Sequence, residues 1–316
     1  MNTPRHKIVF MGTPAFALPS LKGLIESPDF DVVAVITQPD KPLGRSSIHQ
    51  PSPVKKLALE HNIPALTPEK VKKNTDLLDK LRMLAPEVIV VAAYGKILPQ
   101  ELLDIPPKGV INVHASLLPK HRGASPIAGS ILAGELETGV TIMKLVLEMD
   151  AGPIIATSKH ISITSHDTAG ELTAELAEVG AKTLLESLPK YLAGEIMPQE
   201  QDSTKATYVK LISKDDGKID WNEPAETIAR KVRAYNPWPS AFTYFNNQPL
   251  KILKAEVSSD IAKPSGMVGQ TPDNYPVVGT STGGLKLLMV QLSGKKPTTG
   301  KDFLRGYPSL VDSILS

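Results

Sequence analysis

Apolar runs and helix-period segments alternate along the first part of the chain. From Lys7 the run KIVFMG reads as a strand, Phe16 to Glu26 carries helical spacing, and DVVAVIT from Asp31 and EVIVVAA from Glu87 are strand-like again. The runs at 31–37 and 87–93 are nearly continuous Val, Ile and Ala. That pattern belongs to strands covered on both faces by helices, as in a parallel sheet. GVINVHA from Gly109 extends the sheet. A helix is then expected over Pro126 to Ala133, strands over Gly139 to Leu147 and Pro153 to Ile163, and a long helix from about Thr168 to Leu192.

Residues 194–206 lack apolar periodicity and read as a linker. Beyond it the pattern changes. One helix is expected at about Ala225 to Ala234, followed by short strand-like pieces, FTYF, LKILKAEV, MVGQ, PVVGT and LKLLMV, separated by Gly, Pro, Asn and Ser. This predicts a small mostly-β module, a barrel of the OB-like kind. The fold class is therefore α/β: a Rossmann-like, mostly parallel sheet followed by a small β-barrel. A length of 316 residues agrees with two domains.

Composition narrows the picture by exclusion. At 41% hydrophobic and 22% charged residues the chain is neither disordered nor fibrous, and zero cysteines exclude disulfides, thiolate metal ligands and a cysteine nucleophile. No window approaches the ~18 uncharged apolar residues of a membrane span. The start runs directly into KIVFMG, so neither a signal peptide nor an anchor is expected and a cytoplasmic location is. The histidines show no HExxH or paired-ligand spacing, so no metal is expected. A net charge of +2 announces no nucleic-acid partner, yet residues 206–316 hold 14 Lys and Arg against 10 Asp and Glu, so the basic excess is local.

Gly12-Thr13-Pro14 stands where a dinucleotide fold places its phosphate loop, but it lacks G-x-G-x-x-G and reads as a tight strand-to-helix turn. The informative segment is Asn112-Val113-His114, followed by SLLPKHRGASP from Ser116. Strand alternation sends Asn112 and His114 to one face and Val113 to the other, near a strand end where α/β proteins build their sites. An amide that donates to a developing oxyanion and an imidazole that exchanges protons near neutrality suit acyl transfer. The alternative is a capped strand end with a buried, satisfied histidine. Asp150, in EMDAGP, is a candidate to orient His114 and favour its charged form, or else a turn residue. Trp221 and Trp238 are expected to pack inside the protein.

The run N-V-H-A-S-L-L-P, then R-G-x-S-P-I and a downstream M-D-A-G, resembles the catalytic domain of the formyltetrahydrofolate-dependent formyltransferases. The resemblance implies that Asn112, His114 and Asp150 are catalytic, with Asn112 and His114 stabilising a tetrahedral intermediate and His114 and Asp150 assisting proton transfer. It also implies that Ser116, Leu117, Leu118 and Pro119 line the folate, with 10-formyltetrahydrofolate as formyl donor. TQPDKPLGR at 37–45, PSPVK at 51–55, IDWN at 219–222, RAYNPWPSAFTYF at 233–245 and GKK at 294–296 resemble the branch whose acceptor is initiator methionyl-tRNA. That branch implies a catalytic domain over 1–193, a linker over 194–206, and a tRNA-binding β-barrel domain over 207–316. Lys41, Arg45, Lys295 and Lys296 are the implied tRNA contacts. The chain is read as a monomer with no obligate protein partner. An amino-sugar nucleotide as acceptor, or hydrolysis of the formyl donor, stays open at this point.

Overall fold

The computed structural model of the chain describes residues 5–42, 49–259 and 263–316, with side chains not described at 41–42. Two compact units divide it, and they do not follow chain order. The first comprises Met1–Pro126, Glu137–Ile161 and Thr173–Lys210; the second comprises Ile127–Leu136, Ser162–Leu172 and Leu211–Ser316. Among the described residues no helix is long and apolar enough to cross a membrane.

The first unit is built on strands β1 (His6–Gly12), β2 (Phe30–Ile36), β3 (Ala65–Leu66), β4 (Val88–Ala92), β5 (Val110–His114), β6 (Thr141–Lys144) and β7 (Ile154–Thr157). They form one sheet in the order β7-β6-β5-β4-β1-β2-β3. The ladders from β3 to β5 are parallel, whereas β6 and β7 are antiparallel to their neighbours. Every residue of β4 is buried, as its unbroken VIVVA run requires. Helices α1 (Leu18–Glu26), α2 (Pro53–Glu60) and α3 (Thr75–Leu84) lie in the connections. The sequence pattern does not announce the last two. α2 buries only Val54 and Ala58, too few apolar positions to show a period; its start is set by Ser52, which accepts from the Lys55 N–H, and by Pro53 in the first turn. α3 begins at Asn74, which accepts from the Leu77 N–H, and ends on left-handed Ala85.

Chain order reverses between β1 and β4, and in open α/β sheets ligands bind beyond the carboxyl ends of strands at such a switch. The Gly12 turn there is tight. A Cβ on Gly12 would lie 2.8 Å from the Ala17 Cβ and 2.9 Å from the Ala92 oxygen, so the glycine admits close packing rather than a phosphate. Helices α4 (Pro126–Ala133) and α5 (Ala169–Leu192) complete this part of the chain.

The second unit contains α6 (Ala225–Ala234) and strands β8 (Ala241–Phe245), β9 (Gln248–Ser258), β10 (Val268–Gln270), β11 (Pro276–Gly279), β12 (Gly284–Leu292) and β13 (Thr298–Thr299), then α7 (Gly300–Gly306). The sheet is antiparallel in the order β8-β9-β12-β11-β10, with β13 added on β12. Its two edges are joined by the C-terminal residues. The Tyr244 N–H donates to the Ser316 oxygen at 2.9 Å; on the other edge the Val268 N–H donates to Ser313 at 2.9 Å and the Leu315 N–H to Gly266 at 2.9 Å. A sheet whose edges are bridged in this way leaves few open donors for aggregation. Leu315, 2% exposed, fills the same core as Trp221, Ile228, Val232 and Phe303. Replacing Leu315 by Ala should therefore cost about 2–5 kcal/mol. Urea unfolding checks this, and an unchanged midpoint would show that the terminal residues do not hold the sheet.

Candidate active site

Strand β5 sorts its side chains as alternation demands. Val113 faces α5, where a Cβ on Gly180 would come within 2.8 Å of its Cγ1, so the glycine lets the helix close down on this face. Asn112 and His114 project from the opposite face, Asn112 half-buried and His114 only 4% exposed. Their strand partners are Val91 and Met143 for Asn112, and Thr141 for His114.

The imidazole has a fixed tautomer. Nε2 lies 3.1 Å from the carbonyl oxygen of His121, which only accepts, so Nε2 carries the hydrogen and Nδ1 is the basic nitrogen. Nδ1 faces Asp150 Oδ1 at 3.7 Å, an ion-pair distance too long for a hydrogen bond. The other carboxylate oxygen, Oδ2, accepts from the Gly123 N–H at 2.9 Å. Asp150 sits in the left-handed region at φ 50°, on a loop closed by Gly152, whose Cβ would fall 1.9 Å from the Lys144 oxygen. Only glycine fits there.

Burial pulls the pKa of His114 below the ordinary histidine value, outweighing the Asp150 carboxylate and the His121 carbonyl, which push it up. Asp150 thus favours the charged form as expected, but dehydration of the nearly buried ring costs the cation more than one carboxylate at 3.7 Å returns. Burial therefore favours the neutral form of the resting imidazole.

The remaining predicted residues fall into three groups. Ser116 is fully buried and its hydroxyl donates to the Lys120 oxygen at 2.7 Å, which fixes a turn; Leu118 is buried, while Leu117 and Pro119 are half-buried. Exposed Val146, Leu147 and Met149 on the loop ending at Asp150 add apolar surface beside the carboxylate. Lys295 and Lys296 are exposed in the turn after β12. Lys41 pairs by backbone with Gln50, its side chain lying outside the described residues, as does all of Arg45. Trp221 is buried and donates to Thr243 Oγ1 at 3.1 Å, whereas Trp238 is 60% exposed between two prolines, contrary to the expectation of a packed side chain.

The formyl transferase family matches residues 6–188, and the formyl transferase C-terminal domain matches residues 211–308. The methionyl-tRNA formyltransferase of Chloroflexus aurantiacus is 45% identical over 302 residues, covering 95% of this chain and 96% of that protein. That of Caldanaerobacter subterraneus subsp. tengcongensis is 45% identical over 98% of this chain and 99% of its own, and that of Bacillus subtilis 44% over 95% and 94%. The chain belongs to the methionyl-tRNA formyltransferases of the formyl transferase family. Solved structures share its fold at lower identity. They include an N-formyltransferase from Helicobacter canadensis in complex with folinic acid and dTDP-3-aminofucose, with a TM-score of 0.67 and 20% identity over 89% of this chain and 98% of that one. HypX from Aquifex aeolicus in complex with tetrahydrofolic acid gives a TM-score of 0.60 and 17% identity over 98% of this chain; the chain spans about half of that protein, 48%.

In this formyl transferase two residues at the site escape sequence reading. Arg122 is the largest fully buried side chain among the described residues, and Gln201 lies in the stretch that reads as a linker. Gln201 Oε1 accepts from Arg122 Nε at 3.1 Å and Nη2 at 2.9 Å. Nothing in a period-based reading marks an isolated Gln in a polar run; the R-G dipeptide was the available signal.

The depressed pKa of His114 has a consequence for stability. The folded chain holds the proton less tightly than the unfolded chain, whose histidine titrates near ~6.5. The stabilisation from this group is complete above that pH and lost as pH falls toward the folded-state value. Urea unfolding from pH ~7 down to ~5 should show a loss of stability with falling pH that the His114→Gln variant lacks. Equal slopes in the two proteins would count against the depressed imidazole.

Proposed function

We propose that this chain moves the formyl group of 10-formyltetrahydrofolate to the free amino group of methionine carried by initiator tRNA, acting in the cytoplasm. The observation that carries the reading is the buried His114, the last residue of β5, facing Asp150 at 3.7 Å in a chain 45% identical to a methionyl-tRNA formyltransferase over nearly the whole length of both. The reduced folate is a co-substrate. Leu117 and Pro119, with Val146, Leu147 and Met149, offer a flat aromatic ring apolar walls beside polar loop backbone, which fits its chemistry.

The chain's own groups divide the reaction between them. Asn112 Nδ2 donates hydrogen bonds to the formyl oxygen as the amine–carbon bond forms and negative charge gathers there. Neutral His114 takes a proton from the attacking nitrogen at Nδ1, where the new cation meets Asp150. As the carbon–nitrogen bond to the folate breaks, His114 returns that proton to the departing nitrogen, so protons and electrons balance without a covalent enzyme adduct. Ser116 supports the turn that follows β5 rather than touching ligand by its hydroxyl.

The C-terminal module, residues 207–316 by sequence, supplies tRNA affinity in this reading. Lys295 and Lys296 track phosphates from an exposed turn, and Lys41 and Arg45 contribute from the connection after β2. Folate deformylation would be followed with charged initiator methionyl-tRNA, the uncharged tRNA, an amino-sugar nucleotide, and no acceptor. Consumption with the charged tRNA alone supports the proposal; consumption with the sugar alone transfers the same chemistry to another acceptor, and consumption in every tube makes the protein a hydrolase.

Two outcomes test the assigned roles. His114→Ala should lower turnover by ~100-fold or more, and Asp150→Asn should lower turnover and move the acid limb of the rate profile to lower pH, since the carboxylate raises the pKa of His114. Near-normal turnover in either would remove that residue from the mechanism. The Lys295→Ala/Lys296→Ala double variant should weaken tRNA binding and lower the slope of log affinity against log salt by about 2. An unchanged slope would place the phosphate contacts elsewhere.

A further inference from the structure

The segment from Gln199 to Val209 carries no apolar period, yet it is bound to both loops that frame the catalytic pair. Gln199 exchanges backbone hydrogen bonds with Ile154 at 2.7 and 2.8 Å, and Tyr208–Val209 forms a short parallel ladder with Arg122–Gly123. The Arg122 N–H donates to the Thr207 oxygen at 2.8 Å, and the Ala124 N–H to Val209 at 3.1 Å. Gly123, at φ 116°, has the Val209 oxygen 2.2 Å from where a Cβ would stand, so the strap closes only over glycine. The same Gly123 donates its N–H to Asp150 Oδ2.

Between the two loops stands one amide. The Nε2 of Gln201 donates to the carbonyl oxygens of Asp150 and Gly152, at 2.8 Å each, and so uses both of its hydrogens on the loop that carries the carboxylate. Its Oε1 accepts from two nitrogens of Arg122, a guanidinium with no solvent exposure. Arg122 is completed by Tyr208 Oη and Ser203 Oγ at 3.3 Å and by Glu148 at 3.6 Å, the last an exposed carboxylate. A buried guanidinium must keep its acceptors, so the amide cannot rotate away, and its nitrogen stays aimed at the loop.

We infer that Gln201 is a positioning residue for formyl transfer: anchored by buried Arg122, it clamps the backbone on both sides of Ala151 and holds the Asp150 carboxylate toward Nδ1 of His114. The inference rests on the roles given above to His114 and Asp150. It assigns to the supposed linker a task at the reaction centre, where a displacement of one ångström is enough to slow catalysis by orders of magnitude.

Two variants separate this from a purely structural part. Gln201→Glu keeps an acceptor for Arg122 but has no hydrogens for the Asp150 and Gly152 carbonyls. Gln201→Met keeps the length, adds no charge, and loses both sets of bonds. In the full-length protein, Gln201→Glu should retain the melting temperature of the parent while kcat falls by ~10-fold or more, with KM for the formyl donor within about threefold. In Gln201→Met, NMR titration of the His114 ring, assigned by its absence from the His114→Gln spectrum, should show a pKa lowered by up to about one unit as Asp150 swings away. Parental kcat in Gln201→Glu overturns the inference, as does a parental His114 titration in Gln201→Met. Loss of folding in both variants would make Gln201 a structural residue and also overturn it. The titration needs no substrate. If the parent protein transfers formyl to no acceptor, the proposed function fails while the Gln201–Asp150–His114 linkage is still read independently.

Discussion

A buried imidazole resists charging, and the carboxylate of Asp150 is the coulombic influence that offsets that resistance at His114. The loop holding the carboxylate is thus the constraint on which the site depends. Asp150 occupies a left-handed backbone conformation, which asparagine and aspartate tolerate better than most residues. Its stability there comes from outside: the Gly123 N–H on the side chain, the Gln201 amide on the carbonyl, and the close approach of Gly152 to the Lys144 carbonyl. Three separate stretches of chain agree on one carboxylate position. Remove that agreement and the carboxylate is free to turn toward water.

Arg122 explains why these stretches stay together. A guanidinium out of contact with water requires nearly all its donors to be satisfied, and its acceptors come from residues 201, 203 and 208, with Glu148 alongside. The charge therefore selects one arrangement of the 199–209 segment among the many that a polar sequence could adopt. Such a network contributes less to net stability than to uniqueness, because breaking one partner strands a buried cation. The gain is geometric order at a place without an apolar face of its own.

The sheet and the second module were legible because their apolar runs are long and bounded. The runs at 31–37, 87–93 and 109–115 became β2, β4 and β5, and each of the five short pieces of the second half became a strand. Asn112 and His114 were placed on one face by alternation alone. Other features have signals that a linear pattern does not carry. Val146 and Leu147 look like the end of a strand, yet they lie exposed past β6, since apolar residues at a loop and at a strand end share one composition. The charge state of His114 follows from burial, which depends on residues far away in sequence. Gln201 acts through two backbone carbonyls some fifty positions earlier, and a backbone partner leaves no mark on the sequence that supplies it.

Under the proposed reaction the depression of the His114 pKa is useful rather than incidental. An α-amino group titrates near ~8, so near neutrality only part of the acceptor is a free nucleophile. An imidazole already protonated at that pH would repel the remaining ammonium form and could not accept the proton released as the nitrogen attacks. Burial keeps the ring neutral until bonding to carbon makes the nitrogen acidic. The same burial makes the resulting imidazolium a readier acid, so it passes the proton on to the departing folate nitrogen. Asp150 works against this: the carboxylate at 3.7 Å raises the basicity of the ring and so favours its taking the proton. Burial and one ion-pair distance thus act in opposition on a single nitrogen, and the clamp on the Asp150 loop holds their balance.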